Sequence, residues 1–170
     1  MSTVTNNPCL ACPTNQHCCS RLSGLLLSED EFRRHFAGHR DGLSVRRSGK
    51  VVSVSAKSGG PCPHWGNDGC RIYRERPIDC RVFPYIPYRI IDRGERIKIV
   101  FHTRSDCPQK ESLFLQMPEA EVKALLLAFG RQLYGETRTI VVQQETGIFS
   151  RIRTRIEAAI FRRLHRNRQT

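Results

Sequence analysis

Residues 70–84 read CRIYRERPIDCRVFP, and how this stretch is held decides the fold. It shows neither the 3.6-residue period of an amphipathic helix nor the alternation of a half-buried strand. Pro77 and Pro84 withhold two backbone donors and fix φ, so the segment reads as consecutive turns. Turns of this kind need an outside tie. The residues that bracket them are thiols, Cys70 and Cys80, with nine residues between. A disulfide, a metal ion or a redox dithiol would each account for such a pair.

The rest of the chain narrows the choice. It has 170 residues, a usual length for one domain and enough to bury a core without help from cross-links. Hydrophobic residues make up 39%, and no apolar run approaches the roughly 18 to 20 residues of a membrane span. The first ten residues, MSTVTNNPCL, lack the basic and apolar regions of a secretory signal. The expected location is therefore cytoplasmic. In a reducing compartment, eight cysteines point to metal binding rather than to a disulfide framework. The net charge of +12 admits nucleic acid or an anionic surface as partner. Metal-bound thiolates would offset part of that surplus.

The cysteines follow the pattern Cys9-x2-Cys12-x5-Cys18-Cys19, then Cys62-x7-Cys70-x9-Cys80, then Cys107. A Cys-x2-Cys turn presents two sulfurs to one point, as metal sites require. Neighbouring side chains in a chain generally point apart, so the adjacent pair Cys18 and Cys19 suits two centres or a multinuclear cluster. Cys12, Cys62 and Cys107 are each followed by proline. Cys-Pro also closes ferredoxin cluster sequences, which favours iron–sulfur slightly over zinc.

Around the cysteines the pattern is α+β: a small cysteine-rich metal-binding domain with two β-hairpins, flanking helices and a basic C-terminal helix. Ser28 and Glu31 form a capping box for a helix that carries Phe32 and Phe36 on one face and ends near Gly38. Residues 42–56 alternate as a hairpin with a turn at Ser48-Gly49. A second hairpin turns at 92–94 and points Ile97, Ile99 and Phe101 to one side. Pro118 and Gly135 bracket a helix with the stripe Val122, Leu125, Leu126, Phe129 and Leu133. Residues 139–142 suit a short strand. In the last stretch Ile148, Ile152, Ile156, Ile160 and Leu164 recur every fourth residue between arginines, as in a basic amphipathic helix. The expected division is a cysteine-cluster domain over 1–136 and a helical extension over 137–170.

The run Cys70, Ile72, Tyr73, Arg76, Pro77, Cys80, Arg81 and Pro84, preceded by the first four cysteines, resembles the CxxCxxCC or YkgJ-like cysteine-cluster family, described as zinc- or iron-chelating. That family carries eight cysteines around a Cys-x-Ile-Tyr…Arg-Pro…Cys-Arg…Pro core. The gap between Cys12 and Cys18 is longer here than in the family's name. The resemblance implies that all eight cysteines ligate zinc or an iron–sulfur cluster, and that ligation through Cys70 and Cys80 shapes the opening stretch. Arg76 and Arg81 would then offset thiolate charge or donate to sulfur. A related cysteine pattern has been linked with a flagellin lysine N-methylase. No Gly-rich loop for dinucleotide or S-adenosylmethionine follows a strand here. An iron–sulfur enzyme of methyl-transfer or redox type, and a metal-stapled nucleic-acid-binding module using the basic helix, are the alternatives.

Other groups read more simply. His17 and His64 lie close to cysteines, but eight thiols leave little need for them. His35 and His39 are spaced as a helical pair without a catalytic glutamate, which suits a solvated face. Trp65 reads as core, and Asp68 and Asp79 as turn residues. A redox dithiol at Cys9 and Cys12 lacks the βαβ setting it requires. No Ser-His-Asp, P-loop or paired-carboxylate pattern is present.

Overall fold

The computed structural model describes residues 12, 17–104 and 107–145, the side chains of His17 and Cys18 excepted. The expected basic C-terminal helix lies outside these residues. What is described is α+β, with two apolar cores and the cysteine-rich stretch between them.

The first core is built on a three-stranded antiparallel sheet. Strands β2 (Leu43–Ser48) and β3 (Val51–Ala56) form the first expected hairpin, turning at Gly49 with φ of 57°. Such a φ suits glycine because it has no Cβ. β1 (Leu25–Leu27) adds to the other edge of β3, pairing Leu25 with Val54. A four-residue helical turn, α1 (His17–Ser20), precedes it. Helix α2 (Glu29–His35) follows, and its capping box is formed: Glu31 N–H donates to Ser28 Oγ, and Ser28 N–H to Glu31 Oε2. Phe32 and Phe36 are buried together with Leu27, Val52 and Val54, as their shared face requires. The helix stops earlier than the expected end near Gly38. The Phe36 amide caps it on the Phe32 carbonyl, and residues 37–42 tighten into 3₁₀ turns.

The second core lies under strands β6 (Tyr85–Arg93), β7 (Arg96–Thr103) and β8 (Thr139–Gln144), in the order β6-β7-β8. β6 and β7 are the second expected hairpin. Gly94 turns it, its amide donating to Asp92 Oδ1. Ile97, Ile99 and Phe101 point to one side and are fully buried. β8 pairs with β7 in parallel. Between these two strands run α4 (Lys110–Gln116), for which the sequence signals no element, and α5 (Glu119–Tyr134), which ends at Gly135.

α5 approaches the sheet at a residue without a side chain. A Cβ on Gly130 would sit 2.7 Å from Ile140 Cγ2 and 3.1 Å from Ile99 Cδ1. Alanine favours a helix interior over glycine by about 1 kcal/mol, whereas overpacking a tight core costs about 1–3 kcal/mol. Gly130→Ala is therefore expected to lower stability by up to ~2 kcal/mol, read as a lower urea midpoint. A raised midpoint would show that helix and sheet part without cost.

Two small elements join the cores. β4 (Trp65–Gly66) and β5 (Gly69–Cys70) make a two-residue ribbon pairing Trp65 with Cys70. Helix α3 (Ile78–Arg81) holds Cys80, whose side chain packs on the first core, and is followed by Val82, buried in the second. Among the described residues no helix is long and apolar enough to cross a membrane.

Candidate metal centre

The opening stretch is held by backbone bonds at one end and carboxylates at the other. The Cys62 amide donates to the Cys19 carbonyl at 2.9 Å, and Leu22 N–H to the Gly60 carbonyl at 3.0 Å. These bonds attach the N-terminal cysteine segment to the Cys62 loop. After Cys62-Pro63 the chain turns sharply, and Trp65 N–H donates to the Cys62 carbonyl. The amides of His64 and Trp65 also approach the Cys62 sulfur and favour its thiolate. The β4–β5 ribbon then returns the chain so that Cys70 lies near Cys62, with Arg71 N–H donating to the His64 carbonyl. Cys80 arrives on α3. Its fixing bonds come from elsewhere: Leu26 N–H donates to Asp79 Oδ2 at 2.7 Å, and Ile78 N–H to Glu31 Oε1 at 2.8 Å.

Cys62, Cys70 and Cys80 thus share one neighbourhood. Burial pushes the Cys62 thiol up, the His64 amide opposes this, and the charge of Cys70 adds to it. Cys80 is pushed up much further, first by burial and then by the charges of Asp79 and Cys62. Arg76 pulls the other way. Its guanidinium lies 3.8 Å from the centre of the Tyr73 ring, and its Nε donates to the Tyr73 carbonyl. Arg81 is exposed, so Arg76 is the arginine of the two whose charge reaches Cys80. Asp79 is pushed up to about 7 by burial, against the Leu26 hydrogen bond.

Raised thiol values have a pH consequence. The fold favours protonated Cys62 and Cys80, so their contribution is complete below the unfolded value of 9.0 and is lost as pH rises above it. Metal-stripped protein is expected to melt at progressively lower temperature above about pH 9, while metal-loaded protein stays level. Equal slopes for the two forms would refute this.

The remaining sulfurs are less fully placed. Cys12 and Cys107 are half-buried, and Cys19 reaches the site through its carbonyl. Cys9 and the Cys18 side chain lie outside the described residues. Among the described residues, no three of His, Cys, Asp and Glu converge tightly enough to hold a metal ion. Three histidines gather beside the Cys62 turn. The His64 ring centre is 5.2 Å from that of His39 and 6.2 Å from that of His35. Its Nε2 donates to the His35 carbonyl at 2.6 Å. His39 sits in the 3₁₀ segment, so it does not extend an α-helical pair with His35. Residue-by-residue reading missed the sulfur-facing amides and the two carboxylates. The Cys-Pro-His-Trp turn signals the first; nothing local signals the second.

Thiols carried by a loop, a two-residue ribbon and a short helix mark a cysteine-rich domain of α+β class. The chain matches, over residues 8–108, the family CxxCxxCC, whose description reads "Putative zinc- or iron-chelating domain", and it belongs to that family. The match starts just before Cys9 and ends just after Cys107, so it takes in all eight cysteines. No curated protein and no solved structure matches the chain.

Proposed function

We propose that the chain is a metal-binding protein whose eight cysteines hold zinc or an iron–sulfur cluster, and that Cys62, Cys70 and Cys80 are the part of the ligand set the fold prepares. This reading is carried by the family match over all eight cysteines, and supported by the packing of Cys62 and Cys80 on the first core with Cys70 returned by the ribbon that follows Cys62. Such a site favours a soft cation over three thiolates alone. The donors fit either metal: thiolate sulfur is the ligand of both, and the amides at Cys62 are the hydrogen bonds that tune bound sulfur. The indole N–H of Trp65, opposite Cys70 in the ribbon, is buried without an acceptor among the described residues. Arg76 is placed to balance thiolate charge; Arg81 would act only at longer range.

The deciding measurement is elemental analysis and a visible spectrum of protein purified without oxygen. Iron with acid-labile sulfide and a brown colour assigns a cluster and admits redox or methyl-transfer chemistry. Stoichiometric zinc without colour assigns a structural site. Protein that binds neither metal ends the reading.

A second reading rests on charge. The chain carries a net charge of +12 at neutral pH. This favours nucleic acid or an anionic surface as partner, with binding that weakens steeply as salt rises. No binding at low salt removes it.

A further inference from the structure

Helix α3 has four residues and no side-chain cap, and Pro77 before it has no amide to offer. So short a helix cannot hold its own orientation. Beside the packing of Cys80 on the first core and Ile78 on the second, a pair of crossed bridges fixes it. α3 gives a carboxylate to the amide of Leu26 in β1, and α2 gives a carboxylate to the amide of Ile78 in α3. The partners lie 53 and 47 residues apart in the chain. One bridge begins at the residue next to Cys80.

We propose that Asp79 and Glu31 are positioning residues for the metal, docking α3 against the β1–α2 corner and thereby setting the Cys80 sulfur beside those of Cys62 and Cys70. This rests on the reading of Cys80 as a ligand. The two carboxylates differ in a way that can be tested. Asp79 bridges through one oxygen, so asparagine retains the acceptor. Glu31 uses both, one for Ser28 and one for Ile78, so glutamine must give up one of them.

The experiment loads the full chain with Co²⁺. It follows the thiolate-to-cobalt charge-transfer absorbance, which scales with bound sulfurs, and the rate of release to a chelator. Asp79→Ala and Glu31→Ala are expected to lose cobalt roughly 10- to 100-fold faster, the range for outer partners of metal ligands, with absorbance reduced to that of Cys80→Ser. Asp79→Asn is expected to restore both. Wild-type behaviour of Asp79→Ala, or an asparagine variant as impaired as alanine, overturns the proposal. If Cys80→Ser itself matches wild type, the ligand reading fails and takes the clamp with it. If Cys80→Ser is impaired and Asp79→Ala is not, only the clamp fails. A measurement on wild type covers variants that do not fold. Coupling is reciprocal, so Co²⁺ should slow amide exchange at Leu26 and Ile78, and exchange there indifferent to Co²⁺ also overturns the proposal.

Discussion

Cys80→Ser should cost the protein metal and stability together. Cys80 packs on the first core and its thiol is buried among other negative groups. With a cation present, a thiolate there is an asset. Serine ligates soft metals poorly, and removal of a ligand should exceed the ~10- to 100-fold loss typical of outer partners. Binding free energy is part of folding free energy in such domains, so the melting temperature of the loaded protein should fall toward that of the stripped one. Metal content by elemental analysis and melting with and without chelator make the check. Unchanged metal, with an unchanged gap between loaded and stripped melting, would show that Cys80 is a core thiol and no ligand. The stripped variant should itself lose about 1–3 kcal/mol, because serine puts a hydroxyl where a thiol packs on the apolar core, so the ligand role is read from the metal content and from the shrunken gap between loaded and stripped forms.

Phe32→Ala tests the other half of the arrangement, the frame that carries the site. Phe32 is fully buried at the centre of the first core. Over its ring lie the guanidinium groups of Arg40 and Arg47, 5.4 and 5.2 Å from the centre. Emptying a buried phenylalanine position costs about 3–5 kcal/mol. For a chain of this length that is roughly 6–20 °C of melting temperature. The ring anchors α2, and α2 carries Glu31. The loss should therefore reach metal retention as well as melting. A drop below about 1 kcal/mol in urea unfolding would mean that the core collapses around the gap.

Much of the frame is legible in the sequence because its signals are local. The capping box of Ser28 and Glu31 forms as written, and the alternation of Val52 with Val54, and of Ile97, Ile99 and Phe101, names the buried faces of both hairpins. Gly49 and Gly94 mark the turns. The joining elements are not legible. α3 and the β4–β5 ribbon are too short to carry a period, and their support comes from partners about fifty residues away. α4 has a single buried side chain, Leu113, which is too little for a stripe. The same limit applies to the cysteines. Spacing draws the eye to Cys9 and Cys12, whereas the packing of Cys62 and Cys80 on the first core and the placing of Cys70 on a ribbon depend on contacts that no local pattern announces. β8, just beyond the expected division at 136, pairs with β7.

That parallel pairing bears on the order of assembly. A hairpin can close as soon as its second strand is made, whereas β7 waits for its far neighbour until two helices have been added. All eight cysteines precede residue 108. During synthesis the chain therefore holds its complete set of sulfurs while the second sheet still has an open side. A chain that has reached residue 120 already contains every sulfur of the proposed ligand set, before the strand that closes the second sheet exists.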